Sequence, residues 1–200
     1  GGEFEGTSIS DLFGSCGPGP IVAAAYNDDL GVPKCSIVGE SCTSGALLDG
    51  VGLGKSEINS PNTLDGCADG IYGEYHIDES IDMITVSAVG GGLLQAGELA
   101  EIEAKVWAYE LGAEDTADFY YTAVANSNPN WILIESIKPT SGGIQTLKTQ
   151  YTLPDSPLQA VRVNFRWKGD QGGTSDGSGS CSRGNYNDAD DLVFSVIAGN

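Results

Sequence analysis

Between Ser56 and Ala104 the chain carries ten carboxylates and no lysine or arginine, and any fold it adopts must accommodate them. Six of the ten, Asp65, Asp69, Glu74, Asp78, Glu79 and Asp82, fall within eighteen residues. A second group of oxygen donors, Asn185, Asn187, Asp188, Asp190 and Asp191, comes just before the last apolar run. Carboxylates at this density repel one another unless water screens them or a hard cation binds them. Asp, Asn and backbone carbonyls are the donors that Ca2+ takes. The acids gather beside turn glycines rather than spreading evenly, so they are read as ligands of at least one structural Ca2+. The alternative is a solvated acidic face that keeps the protein soluble. The candidate ligands are Asp65, Asp69, Asp78, Glu79, Asp82, Asp188, Asp190 and Asp191.

From residue 80 onward the apolar residues recur at every second position, the mark of strands with one buried face. Residues 81–88 place Asp82, Ile84, Val86 and Ala88 on one side. Ala100, Ile102, Ala104, Val106 and Ala108 then alternate with Glu101, Glu103, Lys105, Trp107 and Tyr109. Runs at 118–125, 131–137 and 145–153 follow, and Val161, Val163, Phe165 and Trp167 alternate with Arg162, Asn164 and Arg166. Residues 192–197 close the chain. Short, regularly spaced strands without helices predict an all-β antiparallel jelly-roll β-sandwich of about eight strands. Residues 21–75 are loop-rich, a long irregular stretch that needs disulfides or metal to order it. The domain is expected over 21–200, behind an N-terminal extended arm or linker at 1–20.

Five cysteines point to an oxidising compartment. Cys35 and Cys42 enclose a six-residue loop, a plausible local disulfide. Cys67 and Cys181 each sit in one of the two acidic segments, and a bridge between them would bring those segments together; four cysteines allow three pairings. Cys16 is left over in a Gly/Pro-rich segment, which suggests a bond to another chain or a partner lost by truncation. With nine basic residues and a formal charge of -19, no basic patch is available for nucleic acid or for an anionic membrane surface. No apolar run reaches the length of a membrane span, so membrane insertion is not expected. The chain has no initiator Met and no signal peptide and reads as a mature or excised product.

Catalytic chemistry finds little support. His76 is the single histidine, which excludes a zinc site built on several imidazoles, and no Gly-x-Ser-x-Gly elbow accompanies it. The expectation is a non-enzymatic module. Trp107 and Tyr109, on the polar face of one strand, are candidate stacking residues for a glycan. Phe4, Ile9, Leu12 and Phe13 could dock the arm onto a neighbouring subunit, adding a strand to its sheet edge and building a filament.

An ordered set of segments carries a resemblance. These are residues 26–42 (YNDDLGVPKCSIVGESC), 61–70 (PNTLDGCADG), 75–81 (YHIDESI), 145–153 (QTLKTQYTL), 158–167 (LQAVRVNFRW) and 184–194 (GNYNDADDLVF). Together they resemble a secreted jelly-roll β-sandwich domain, akin to galactose-binding and carbohydrate-binding modules, of bacterial and algal extracellular proteins. The likeness covers about residues 21 to 197. It implies an extracellular or cell-surface location and no defined activity. The closing Asp-Asp-apolar strand is similar to that of jelly-roll modules whose acids hold a structural calcium, which implicates Asp190, Asp191 and Asp188. The expected function is a Ca2+- and disulfide-stabilised structural or adhesive module that self-assembles, with a carbohydrate-binding module of a secreted hydrolase as the alternative.

Overall fold

The computed structural model describes residues 19–52, 54–126, 128–168, 172–174, 179–182 and 184–199. Phe4, Ile9, Leu12, Phe13 and Cys16, and with them the assembly arm, lie outside the described residues. Four short strands come first: β1 (Ile21–Ala23), β2 (Ala25–Asn27), β3 (Val32–Cys35) and β4 (Ser41–Thr43). Seven longer ones follow: β5 (Ser80–Ala88), β6 (Leu99–Ala108), β7 (Asp115–Thr122), β8 (Ile132–Ile137), β9 (Gly143–Thr152), β10 (Leu158–Trp167) and β11 (Asp188–Ser195). They form two sheets, in the orders β1-β4-β5-β6-β9 and β2-β3-β11-β10-β7-β8. The period-two pattern therefore gives an all-β sandwich. Among the described residues no helix is long and apolar enough to cross a membrane.

The alternation accounts for the core. Ala100, Ile102, Ala104, Val106 and Ala108 of β6 are buried, and Glu101, Glu103, Lys105 and Trp107 between them are half-buried. Ile84, Val86, Ile102 and Val106 of the first sheet pack against Phe119, Val161, Val163, Phe165, Leu192 and Phe194 of the second. Each such large side chain, fully buried, contributes about 1.5–3 kcal/mol.

Three features depart from the sequence pattern. The sheets are mixed rather than purely antiparallel, because β1 pairs β4 and β3 pairs β11 in parallel. Only Ala24 separates β1 from β2, yet the two lie in different sheets. The chain then reverses between β2 and β3 and again between β3 and β4, and two reversals bring β4 back alongside β1 in the same direction. The Cys35–Cys42 disulfide ties β3 of one sheet to β4 of the other. Second, the register of β5 against β6 shifts between Ile81 and Met83. A bulge of this kind adds a residue and flips the side-chain parity. Ile81 and Ile84 both enter the core, and Asp82 lies instead beside Lys105 (3.7 Å) of the outer face. Third, β11 begins at Asp188 rather than residue 192, so its acids belong to the strand itself.

The outer face of β10 is buried as well, against the one-sided expectation. Arg162 is fully buried and grips Asp191 through Nε (2.7 Å to Oδ1) and Nη2 (2.9 Å to Oδ2). Nη2 also donates to Asp65 Oδ1 at 2.6 Å, and the guanidinium lies 4.3 Å from the Trp131 ring centroid. Trp131 Nε1 donates to Asp65 Oδ2 at 3.1 Å, so one arginine pins the loop bearing Asp65 onto the sheet. Burial opposes the charge on Arg162, but Asp191 and Asp65 outweigh it and raise its pKa. Replacing Arg162 by Met strands Asp191 as an unpaired buried carboxylate. The Arg162→Met variant is expected to lose about 3–5 kcal/mol of stability in urea unfolding at neutral pH.

Candidate metal centre

The site forms where β11 lacks a full neighbour. Strand β3 reaches only Val193 and Phe194, leaving the edge of β11 open from Asp188 to Leu192. Unpaired backbone N–H groups on a buried edge must find acceptors. The loop at 57–70 supplies them: Ala189 N–H donates to Asp69 Oδ1 (3.1 Å) and Asp191 N–H to the Asn62 carbonyl (3.0 Å). Asn62 has φ 46°, a left-handed conformation that Asn tolerates better than most residues. Farther along, Gly70 N–H donates to the Asn187 carbonyl (2.7 Å) and Tyr72 N–H to the Asn185 carbonyl (3.0 Å). Gly70 approaches so closely that a Cβ would collide with the Asn185 carbonyl. The Cys67–Cys181 disulfide fastens the same two segments covalently, with its Cα atoms 5.6 Å apart.

Parity along β11 then decides what each acid meets. Leu192 and Phe194 face the core between the sheets, and Asp190 and Asp188 continue that same face. Asp188 Oδ2 accepts the Ile81 N–H at 2.6 Å, reaching across to the other sheet. Glu57 and Asp69 come from the loop. Oxygens of Glu57, Asp69 and Asp188 all lie within 4.8 Å of one another, and Asp190 is within hydrogen-bonding reach of Glu57. Glu57, Asp188 and Asp190 are buried and Asp69 is half-buried.

These carboxyls are poorly satisfied. Among the described residues, both oxygens of Asp190, Oδ1 of Asp188, Oε1 of Glu57 and Oδ1 of Asn62 have no hydrogen-bond partner. Asn62 turns its amide nitrogen to Glu57 Oε2 at 2.9 Å. Among the described residues, no lysine, arginine or histidine forms an ion pair with Glu57, Asp69, Asp188 or Asp190. Burial, with the charge of Asp69 added, pushes the Glu57 carboxyl up to about 8. Burial raises Asp69, and burial together with the neighbouring acids raises Asp188 and Asp190 well above the usual carboxylate range. Such groups must either hold protons or surround a cation. An oxygen-only donor set of this charge suits a hard ion.

The other expected ligands lie elsewhere. Asp65 and Asp191 are committed to Arg162. Asp82 accepts His76 Nε2 contacts at 3.1 and 3.2 Å. It falls with Asp49 and His76 in a second group of potential ligands, but Lys105 and Lys55 already lie against those acids. Asp78 accepts the Glu74 N–H at 3.0 Å within a local turn. Glu79 interacts with Asp115 instead, and both are buried. Glu57 escaped the sequence reading because it stands alone between Ser56 and Ile58. Its one signal was membership of the cation-free run.

The aromatic pair also separates. The Trp107 ring stacks on His76 (4.5 Å between centroids, 16° between planes), and His76 stacks in turn on Tyr75 (3.8 Å, 17°). Tyr109 lies just beyond β6 and instead lines a cavity of about 300 Å3 with Trp167, Tyr186, Asp78 and Glu79.

No protein-family model and no curated protein matches the chain.

The raised carboxyl pKa values fix a sign. Glu57 titrates near 4.5 when unfolded and about 8 when folded, so the folded state binds the proton more tightly. The metal-free protein is then most stable below the unfolded value and loses that stability as pH rises through about 8. Thermal unfolding in EDTA is expected to show a melting temperature that falls steadily from about pH 5 to about pH 9. With millimolar Ca2+ the decline should vanish over the same range, since an ion bound by carboxylates competes with protons.

Proposed function

We propose that the chain is a secreted, non-catalytic module of jelly-roll type, held together by Ca2+ and two disulfides, that serves as a structural or adhesive subunit of an extracellular fibre or matrix. One observation carries this reading: buried carboxyls at the end of the core with unpaired oxygens and, among the described residues, no ion pair to a cationic side chain. A Ca2+ ion supplies the missing positive charge, held by Glu57, Asp69, Asp188 and Asp190 with the Asn62 side-chain carbonyl as a neutral donor. Ca2+ accepts six to eight oxygens in flexible geometry, whereas zinc favours nitrogen and sulfur. The two disulfides fit an oxidising compartment, and so does the resemblance to secreted jelly-roll domains.

Assembly is supported by the sequence of the arm, with Phe4, Ile9, Leu12, Phe13 and Cys16 as its docking and cross-linking residues. It is also supported by the short outer strands β1 and β2, since edge strands accept an added strand. The charge of -19 disfavours nucleic acid and anionic membranes as partners. A glycan-binding role is the second reading, favoured by the cavity that joins Tyr109, Trp167 and Tyr186 to the carboxylates Asp78 and Glu79. A glycan array decides it: specific binding that is lost in Trp167→Ala supports the reading.

Chelation is expected to lower the melting temperature by more than about 10 °C, because an ion bound to the native state alone adds several kcal/mol. An unchanged melting curve in EDTA removes Ca2+ from the account. In negative-stain electron microscopy with millimolar Ca2+, the full chain should form filaments and a variant lacking residues 1–16 should remain a folded monomer. Filaments that survive the deletion would take the arm out of the mechanism.

A further inference from the structure

Glu79 and Asp115 form a second acidic contact, built from different elements than the first. Glu79 immediately precedes β5 in one sheet and Asp115 opens β7 in the other. Each is only 1% exposed, and the two carboxyls face each other within hydrogen-bonding reach. Asp115 Oδ2 accepts the Tyr109 N–H at 2.8 Å. Among the described residues, its Oδ1 and the Glu79 Oε1 have no hydrogen-bond partner. Among the described residues, neither acid forms an ion pair with a lysine, arginine or histidine. Two buried carboxylates in contact cannot both stay ionised without a positive charge between them. Glu79, though not Asp115, lines a cavity of about 300 Å3 whose wall also carries Asp78. That volume is several times the roughly 30 Å3 share of one liquid water, enough for an ion and its remaining hydration shell.

We propose that Glu79 and Asp115 hold a second hard divalent cation, Ca2+, bridging the two sheets and reached from solvent through the cavity lined by Asp78, Tyr109, Trp167 and Tyr186. Two buried carboxylates supply fewer protein donors than the cluster around Asp188 and Asp190, so water completes the shell and the ion binds more weakly. Dehydration is only partial, and exchange is correspondingly faster than at the enclosed cluster. The pair stands on its own residues and does not require the first site to bind calcium.

The test is a titration of metal-free protein with Ca2+ by calorimetry and with Tb3+ by sensitised emission, since Tyr109, Trp167 and Tyr186 line the cavity and act as antennae. Wild type is expected to take up a tight ion and a weaker one. Glu79→Gln with Asp115→Asn should lose the weaker ion, and with it the emission excited through Trp167, while keeping the tight one. The single variant Glu79→Gln preserves side-chain volume and can donate an amide N–H to Asp115. If the double variant fails to fold, the single variant gives the same readout. Trp167→Phe should dim the emission without changing the number of ions bound. If both Glu79 variants bind as many ions as wild type, the pair merely shares a proton and the second site is refuted. A wild-type protein that binds one ion, retained in these variants, refutes the second site alone. One that binds none refutes both sites.

Discussion

Charged oxygen cannot simply be added to an apolar core, and this sandwich ends its core in carboxyls. Moving one ionised carboxylate out of water costs several kcal/mol even after the protein relaxes. Here Asp188 and Asp190 lie on the same strand face as Leu192 and Phe194 and meet Glu57 and Asp69 from a loop. Much of the surrounding structure exists to hold those groups where they are. The loop at 57–70 donates and accepts the hydrogen bonds that β3 does not provide to β11. Arg162 anchors that loop through Asp65, and the Cys67–Cys181 bridge anchors it again. Three attachments of different chemistry thus converge on one short stretch of chain.

Neighbouring residues of β11 show two solutions to the same problem. Asp191 points to the outer face and is neutralised by a forked pair of bonds from Arg162. Asp190 points inward, one residue away, where its charged neighbours are the acids Glu57, Asp188 and Asp69, and among the described residues neither of its oxygens has a hydrogen-bond partner. Both are fully buried, so desolvation does not distinguish them. Strand parity alone does: a register slip by one residue would set Asp190 against Arg162 and drive Asp191 into the core. The salt bridge therefore contributes to specificity of register as well as to docking of the loop.

The alternation of β6 was legible because a strand covered on one face obeys a simple period, and Ala100 to Ala108 follow it without a break. The two disulfides were legible from spacing and from the acids around Cys67 and Cys181. Asp82 was not, because the bulge at Ile81 and Met83 depends on pairing with β6, which no local pattern encodes. Asp65 and Asp191 read like the other acids until Arg162, far along the chain, takes them. Glu57 belongs to the cluster through a loop whose path is set by the open edge of β11, so its position emerges only in three dimensions. Trp107 shares a strand face with the acids, but its ring is occupied by His76, whose placement depends on a left-handed turn at φ 57°.

The bridge between Cys67 and Cys181 has a mechanical meaning. The two residues are 114 apart in sequence, and strands β5 to β10 all lie between them. Tension applied to the ends of the chain would cross from one sulfur to the other and bypass that whole span. Only the segments before Cys67 and after Cys181 lie in the path of the force. The Cys35–Cys42 bridge makes β3 and β4, which belong to different sheets, share the load on the first of those segments. Pulled from its termini, the module would extend only through the segments that carry β1 to β4 and β11, and the span from β5 to β10 would bear none of the load.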